Sequence, residues 1–224
     1  MNISLHPSLA IALPDTRLCC IECHVSIHKG GNDLTTEVTR ITSEVQKNHK
    51  IEDVNQIETI KETKDAYRVL GKDPSRYRPS AEALTRRVVQ DKGLYRINNV
   101  VDQLNLVSLQ SGFSIGGYDL DKINGSIVFG IGRKDEPYEA IGRGELNIEN
   151  LPVFRDDSGT FGSPTSDSLR TMVTDQTSNF LMIIIDFKNN PSLSVAQKLS
   201  ETYLGRFADA RDIETHIISR VLGS

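Results

Sequence analysis

Residues 180–185 read FLMIII, six apolar side chains in a row between Asn179 and Asp186. Successive residues of a strand point to opposite faces, so a strand with one wet face alternates apolar and polar. A run without alternation is the pattern of a strand covered on both sides. This stretch therefore predicts a central strand, and the rest of the chain must supply apolar cover for both of its faces.

The neighbouring sequence supplies more strands. In GSIVFGIGR, Ile127, Phe129 and Ile131 fall on one face, and YEAIG and LPVFRDD read as further strands between Gly-, Asp- and Pro-rich turns. Near the start, Ile21, Cys23, Val25 and Ile27 alternate with Glu22, His24, Ser26 and His28. That alternation predicts a strand and sends Cys20 and Cys23 to opposite faces, where they cannot share a metal. With Cys19 they make an odd, tightly spaced trio, which suits buried small hydrophobes better than a disulfide framework. Glu22, His24 and His28 would share a solvated face.

Between these strands the period changes. Leu34, Val38, Ile41 and Val45 repeat at helical spacing, with Asn32 or Asp33 as the expected cap. Ile57, Ile60, Tyr67 and Leu70 form a second helix that stops at Gly71. A third starts at Ser80, expected to cap it, shows Ala81, Leu84 and Val88 on one face and stops at Gly93. A fourth is NNVVDQLNLVSLQSG, capped by Asn98 or Asn99, with either Val101, Leu104 and Ser108 or Val100, Leu104 and Val107 facing inward and Gly112 as its end. From Ser192 the pattern is helical again, through Val195 and Leu199 and then Ile213, Ile217 and Val221; Gly205 leaves open whether this is one helix or two. Helices in the N-terminal half, a sheet in the second half and a C-terminal helical segment predict an α+β fold. The 224 residues show no repeat, linker or clear cut, so one domain over 1–224 is expected, with 1–72 an N-terminal extension of the same core and 192–224 the C-terminal helical segment.

Several function classes drop out. No apolar run approaches the ~18 residues of a membrane span, and MNISLHPSLAIALPDTR has no basic start of the secretory kind; a soluble, cytoplasmic protein without membrane contact is expected. GIGRKDEP lacks the Lys-Ser/Thr ending of a phosphate loop, GFSIGG is not a nucleophile elbow, and no metal-binding motif occurs, so neither cofactor nor metal is expected. None of the five histidines lies between Lys50 and Thr215, which removes the usual base of a hydrolytic triad from the polar middle of the chain.

Net charge is −4, yet the segment 71–100 is locally basic, with Lys72, Arg76, Arg78, Arg86, Arg87, Lys92 and Arg96 against Asp73, Glu82 and Asp91. It reads either as a solvated helix face or as a phosphate-holding patch. Two polar clusters remain. Asn98, Asn99, Asp102 and Asn105 exceed what capping requires, although Asp102 suits the positive end of the helix dipole. RDDSGTFGSPTSDSLRT, from Arg155 to Thr171, is dense in hydroxyls; there Asp167 could hold an ammonium and Arg170 a carboxylate or phosphate.

The stretches INNVVDQLNLVSLQSG, YDLDKINGSIVFGIGR, LPVFRDDSG and GSPTSDSLRTMVTDQTSNFLMIII, in this order and spacing, resemble the B3/B4 domain of the bacterial phenylalanyl-tRNA synthetase beta subunit over residues 78–186. The resemblance implies an α+β fold, here as a free-standing copy, and a pocket that hydrolyses tyrosine wrongly esterified to tRNA. It places Asn99, Asp102 and Asn105 on the family's helix motif and Tyr118 and Asp119 on its aromatic-Asp pair. Gly116 stands where the family commonly has a histidine, so Gly116 and Gly117 are expected either to widen the cavity or to let a backbone approach closely, and they supply no proton acceptor. The expected pocket is Asn99, Asn105, Gly116, Gly117, Tyr118, Arg155, Phe161, Ser163, Thr165, Asp167 and Arg170, with Asp102, Asp119 and Asp167 as candidates to orient a water. Arg76, Arg78, Arg86 and Arg87 are the expected contacts to tRNA, whose mischarged form the protein would deacylate in trans. The alternative is a module that binds a small amino-acid-like ligand without catalysis.

Overall fold

The structure is a computed structural model and describes residues 2–220. In chain order the elements are β1 (Ile3–Leu5), α1 (Pro7–Ala12), β2 (Arg17–His24), α2 (Asn32–Asn48), α3 (Glu58–Val69), α4 (Ser80–Val89), α5 (Asn99–Ser111), β3 (Ser114–Asp119), β4 (Ile127–Ile131), β5 (Glu139–Ala140), β6 (Gly144–Glu145), β7 (Pro152–Asp156), β8 (Gly159–Gly162), β9 (Asn179–Asp186), α6 (Leu193–Phe207) and β10 (Arg211–Ser219). One sheet has the order β1-β4-β7-β8, a second the order β10-β2-β9-β3, and β5-β6 is a small hairpin.

β9 lies inside the second sheet, antiparallel to β2 on one side and β3 on the other. Its residues divide between two cores as the apolar run requires. Leu181, Ile183 and Ile185 pack with Leu18, Cys20, Tyr118, Phe129, Phe154 and Phe161, between the two sheets. Phe180, Met182 and Ile184 pack with Ile41 of α2, Leu104 and Val107 of α5 and Leu204 of α6. The layers are thus helix, sheet, sheet. Each fully buried side chain of this kind contributes about 1.5–3 kcal/mol, so the strand that touches both layers is the main tie between them. The three thiols are free and buried, with Cys20 in the inter-sheet core and Cys19 and Cys23 on the helix side.

Helix ends follow local chemistry, with two differences from expectation. Asn98 caps α5, accepting from Val101 N at 2.9 Å, and Gly112 ends it at φ +71°, where a Cβ would be strained. α2 begins at Asn32 after an extended Gly31, and neither Asn32 nor Asp33 caps it. Ser80 does not cap α4 either; Pro79 holds that position, and the Ser80 amide donates to Pro164 O.

The strand expected near the start is found as β2, and β1, which the sequence pattern did not reveal, enters the other sheet. One broader expectation needs correction. The C-terminal helical segment stops at Phe207, with Gly205 inside α6, and residues 211–219 form β10, an outer strand paired with β2. Ile213 and Ile217 are four apart, a spacing that places two residues on one face of a helix and equally of a strand. Val221 lies outside the described residues. Among those described, no helix is long and apolar enough to cross a membrane.

Candidate functional site

The loop that joins β8 to the short helical turn Leu169–Thr171 is braced from several sides. Its own hydroxyls do part of this: Ser163 Oγ accepts from the amides of Thr165 and Ser166 and donates to Ser166 O. Tyr138 OH donates to Ser166 O at 2.6 Å, and the hydroxyls of Tyr67 on α3 and Thr165 meet at 2.8 Å. The Ile141 amide donates to Asp167 O, and that of Ser168 to Phe161 O. These bonds hold the Asp167 side chain against β3.

There the Tyr118 phenol donates to Asp167 Oδ1 at 2.8 Å, and the Gly117 amide approaches Oδ2 at 3.4 Å. The Tyr118 ring is fully buried, edge-on to Phe161 with centroids 5.0 Å apart. Its hydroxyl occupies a slot that two glycines leave open. A Cβ built on Gly116 or on Gly162 would overlap the phenol oxygen and stand 2.5 or 2.7 Å from Cζ. The sequence reading had Gly116 either widen a cavity or let a backbone approach; in the structure the space beside it is filled by the chain's own tyrosine.

No cation pairs with Asp167 among the described residues. The residue as a whole is partly exposed, but its carboxyl is enclosed, and burial raises its pKa to about 7 against the opposing pull of the Tyr118 and Gly117 bonds. The Tyr118 phenol is pushed well above its ordinary value by burial and by the adjacent Asp167 charge. Near neutral pH the pair thus offers a carboxyl that exchanges its proton, beside a phenol that keeps its own. Behind the loop, Tyr138, Thr160, Ser168 and Arg170 help line an open cleft of about 1250 Å³ that also carries Glu139 and Glu145.

Gly116, Gly117, Tyr118, Phe161, Ser163, Thr165 and Asp167 therefore come together, and Arg170 reaches them at the Phe161 ring, its guanidinium carbon 5.8 Å from the centroid; the other candidates do not join them. Asn99 is buried on the far side of the second sheet, accepting from His28 N and donating to Ser26 O and Phe207 O, each at 2.8 Å. Its three bonds fix the start of α5 and use both amide hydrogens, and the residue is fully buried. Asp102 receives Arg96 Nε at 2.6 Å and the Ile97 amide at 2.8 Å. Asp119 is held by the Thr177 hydroxyl and by Lys122 at 3.2 Å. Asn105 is half-buried on α5. Arg155 forms a two-pronged pair with Glu136, both bonds at 2.6 Å. Arg170 grips both oxygens of Asp156, which titrates below the ordinary range because burial is outweighed by Arg170 and neighbouring amides.

Part of the basic segment is similarly committed. Arg86 and Arg78 both point to Glu82, at 2.7 and 3.5 Å. Arg87 stacks 3.7 Å over the Tyr95 ring, Arg76 is exposed 5.7 Å from the Tyr77 ring, and Lys72 is buried against Asn147 O and Glu149 O. Among the described residues no group of three or more His, Cys, Asp and Glu side chains is placed to hold a metal. Tyr67 and Tyr138 were not singled out from sequence. Tyr67 carries only the signal of an inward helix position, and Tyr138 precedes a strand of two residues.

The family model of the B3/4 domain matches residues 62–213, well over half of the chain, from within α3 to within β10, and takes in this site. The chain belongs to the B3/4 domain family. A curated relative, the phenylalanine--tRNA ligase beta subunit of Mycoplasma pneumoniae, is 29% identical over 117 residues, which is 51% of this B3/4 chain and 14% of the relative. A crystal structure of an N-terminal fragment of the phenylalanyl-tRNA synthetase beta subunit from Pyrococcus horikoshii aligns with 97% of the chain and 50% of its own, at a TM-score of 0.48 and 13% identity. The B3/4 chain thus spans a small part of one relative and half of the other.

Proposed function

We propose that this B3/4 protein receives the aminoacyl end of an aminoacyl-tRNA in a cytoplasmic setting, with Asp167 as the group that meets it. The carrying observation is the Asp167 carboxyl, next in sequence to the cleft-lining Ser168, unpaired with any cation among the described residues and poised near neutral pH. In its ionised form it suits the α-ammonium of an amino acid. A carboxyl titrating near the working pH also suits a group that takes a proton from an attacking water, so the same residue supports deacylation in trans. The name of the Mycoplasma relative, a ligase of phenylalanine and tRNA, supports the choice of ligand.

A second reading has its own observation. Arg86 is held at 2.7 Å by the buried Glu82 and its side chain is only 19% exposed, which weakens its pull on phosphate and favours a free amino acid or similar zwitterion. Two measurements separate the readings. The ester lifetime of tyrosine charged on the phenylalanine acceptor tRNA is followed with wild-type protein and with Asp167→Asn. A shortened lifetime that the substitution abolishes supports the first reading; an unchanged lifetime, together with no tRNA binding at low salt, overturns it. A thermal-shift series with free amino acids then decides the second: a ligand at a hundred times its Kd adds about 2.7 kcal/mol, and a flat series removes it.

A further inference from the structure

β10 is an open edge. Among the described residues it bonds to β2 on one side and to no other strand, and none of its nine residues is buried. Such an edge is a template for another strand unless something blocks it. One block is present, a bulge between Arg211 and Glu214 with Asp212 at φ +53°. Beyond the bulge the register against β2 is unbroken from Glu214 to Ser219. Beside this regular half runs a groove of about 600 Å³ lined by Ile3, Leu5, Ala10, Ile11, Ile217 and Ile218, with Ile11 72% and Ile217 46% exposed.

We propose that this edge joins two copies of the chain, β10 against β10 in antiparallel pairing about a twofold axis at Ile217. The sequence of the edge is complementary to itself in that register. Ile217 faces Ile217, His216 faces Ile218, and Glu214 of each copy faces the exposed Arg220 of the other. The carboxylate lies only 3.9 Å from His216 in its own chain, a weak contact that an opposed guanidinium displaces. Centring the axis on Thr215 would set Glu214 against His216 but would run the pairing into the bulge, leaving fewer regular residues. The axis at Ile217 keeps the bulge outside the shared ladder and brings the exposed isoleucines together, in the isologous form that closed dimers take. The two four-stranded sheets then continue as one.

The test is sedimentation velocity of the full chain over a wide concentration range, with Glu214→Arg, Arg220→Glu and the double exchange. The expected result is a dimer that forms as concentration rises, weakens about tenfold or more in each single variant and recovers in the double. Amide hydrogen exchange on the wild type needs no variant: outward-facing amides between Thr215 and Ser219 should gain protection with concentration. A wild type that stays monomeric throughout, or a dimer indifferent to both charge reversals, overturns the proposal. So does exchange in this strand that is independent of concentration.

Discussion

Asp167→Asn offers the most direct measure of how far the enclosed carboxyl is displaced from its ordinary chemistry. The ordinary pKa is 3.8 and the native value is raised to about 7. Between those values the native state holds a proton that the unfolded chain has released, so stability falls as pH rises through the interval and stays low above it. At about 1.36 kcal/mol per unit, the deficit above pH 7 is on the order of 4 kcal/mol, treating the carboxyl as fully enclosed. Asparagine never ionises and escapes that deficit while its oxygen still accepts from Tyr118. Its NH₂ must then face the Gly117 amide, which costs about 1 kcal/mol. The variant should therefore be about 3 kcal/mol more stable than wild type at pH 8, about 1 kcal/mol less stable below pH 4, and equal near about pH 4.5. Urea unfolding at stepped pH from about 3 to 9 reads this directly. Parallel curves for the two proteins would refute the reasoning, since they would mean that the carboxyl ionises in the fold as easily as in the unfolded chain.

Other substitutions probe the surroundings. Gly116→Ala drives a methyl into the Tyr118 phenol and should cost about 1–3 kcal/mol or more; the loss should shrink in a Tyr118→Leu background, and equal losses in both would show that the slot is not filled as described. Asn99→Ala removes three bonds and strands buried main-chain groups, so denaturant unfolding should show a loss of about 2–4 kcal/mol. Ligand binding at Asp167 should persist in that variant, and its selective loss in a folded protein would return Asn99 to the site.

Local periodicity carried much of the fold. The unbroken apolar run of β9, the helical spacing of Leu34, Val38, Ile41 and Val45, and the Asn98 cap are all set by residues close together in sequence. β10 escaped because its isoleucines obey both periods, and because an edge strand with no fully buried residue lacks a clear buried face. The site was half legible for a related reason. Phe161, at the end of β8, and Ser163, Thr165 and Asp167 in the loop after it sit in one short stretch of sequence, so their proximity was visible. The partners of Asn99 are Ser26, His28 and Phe207, distant positions that no local pattern links to it. The same holds for the basic segment, where a count of charges could not reveal that Glu82 accepts two of the arginines.

The position of β9 also sets the order in which the chain can become a protein. β2 is made early, yet the strand it pairs with through Cys20 and Ile183 comes about 160 residues later. At about 5–20 residues per second, a nascent chain carries that cysteine-rich strand without its partner for roughly 10–30 s. The same delay applies to the neighbouring β3, although for a shorter time. Until residues 179–186 emerge, the helices have no sheet to settle on, and the two layers close almost together, late in synthesis.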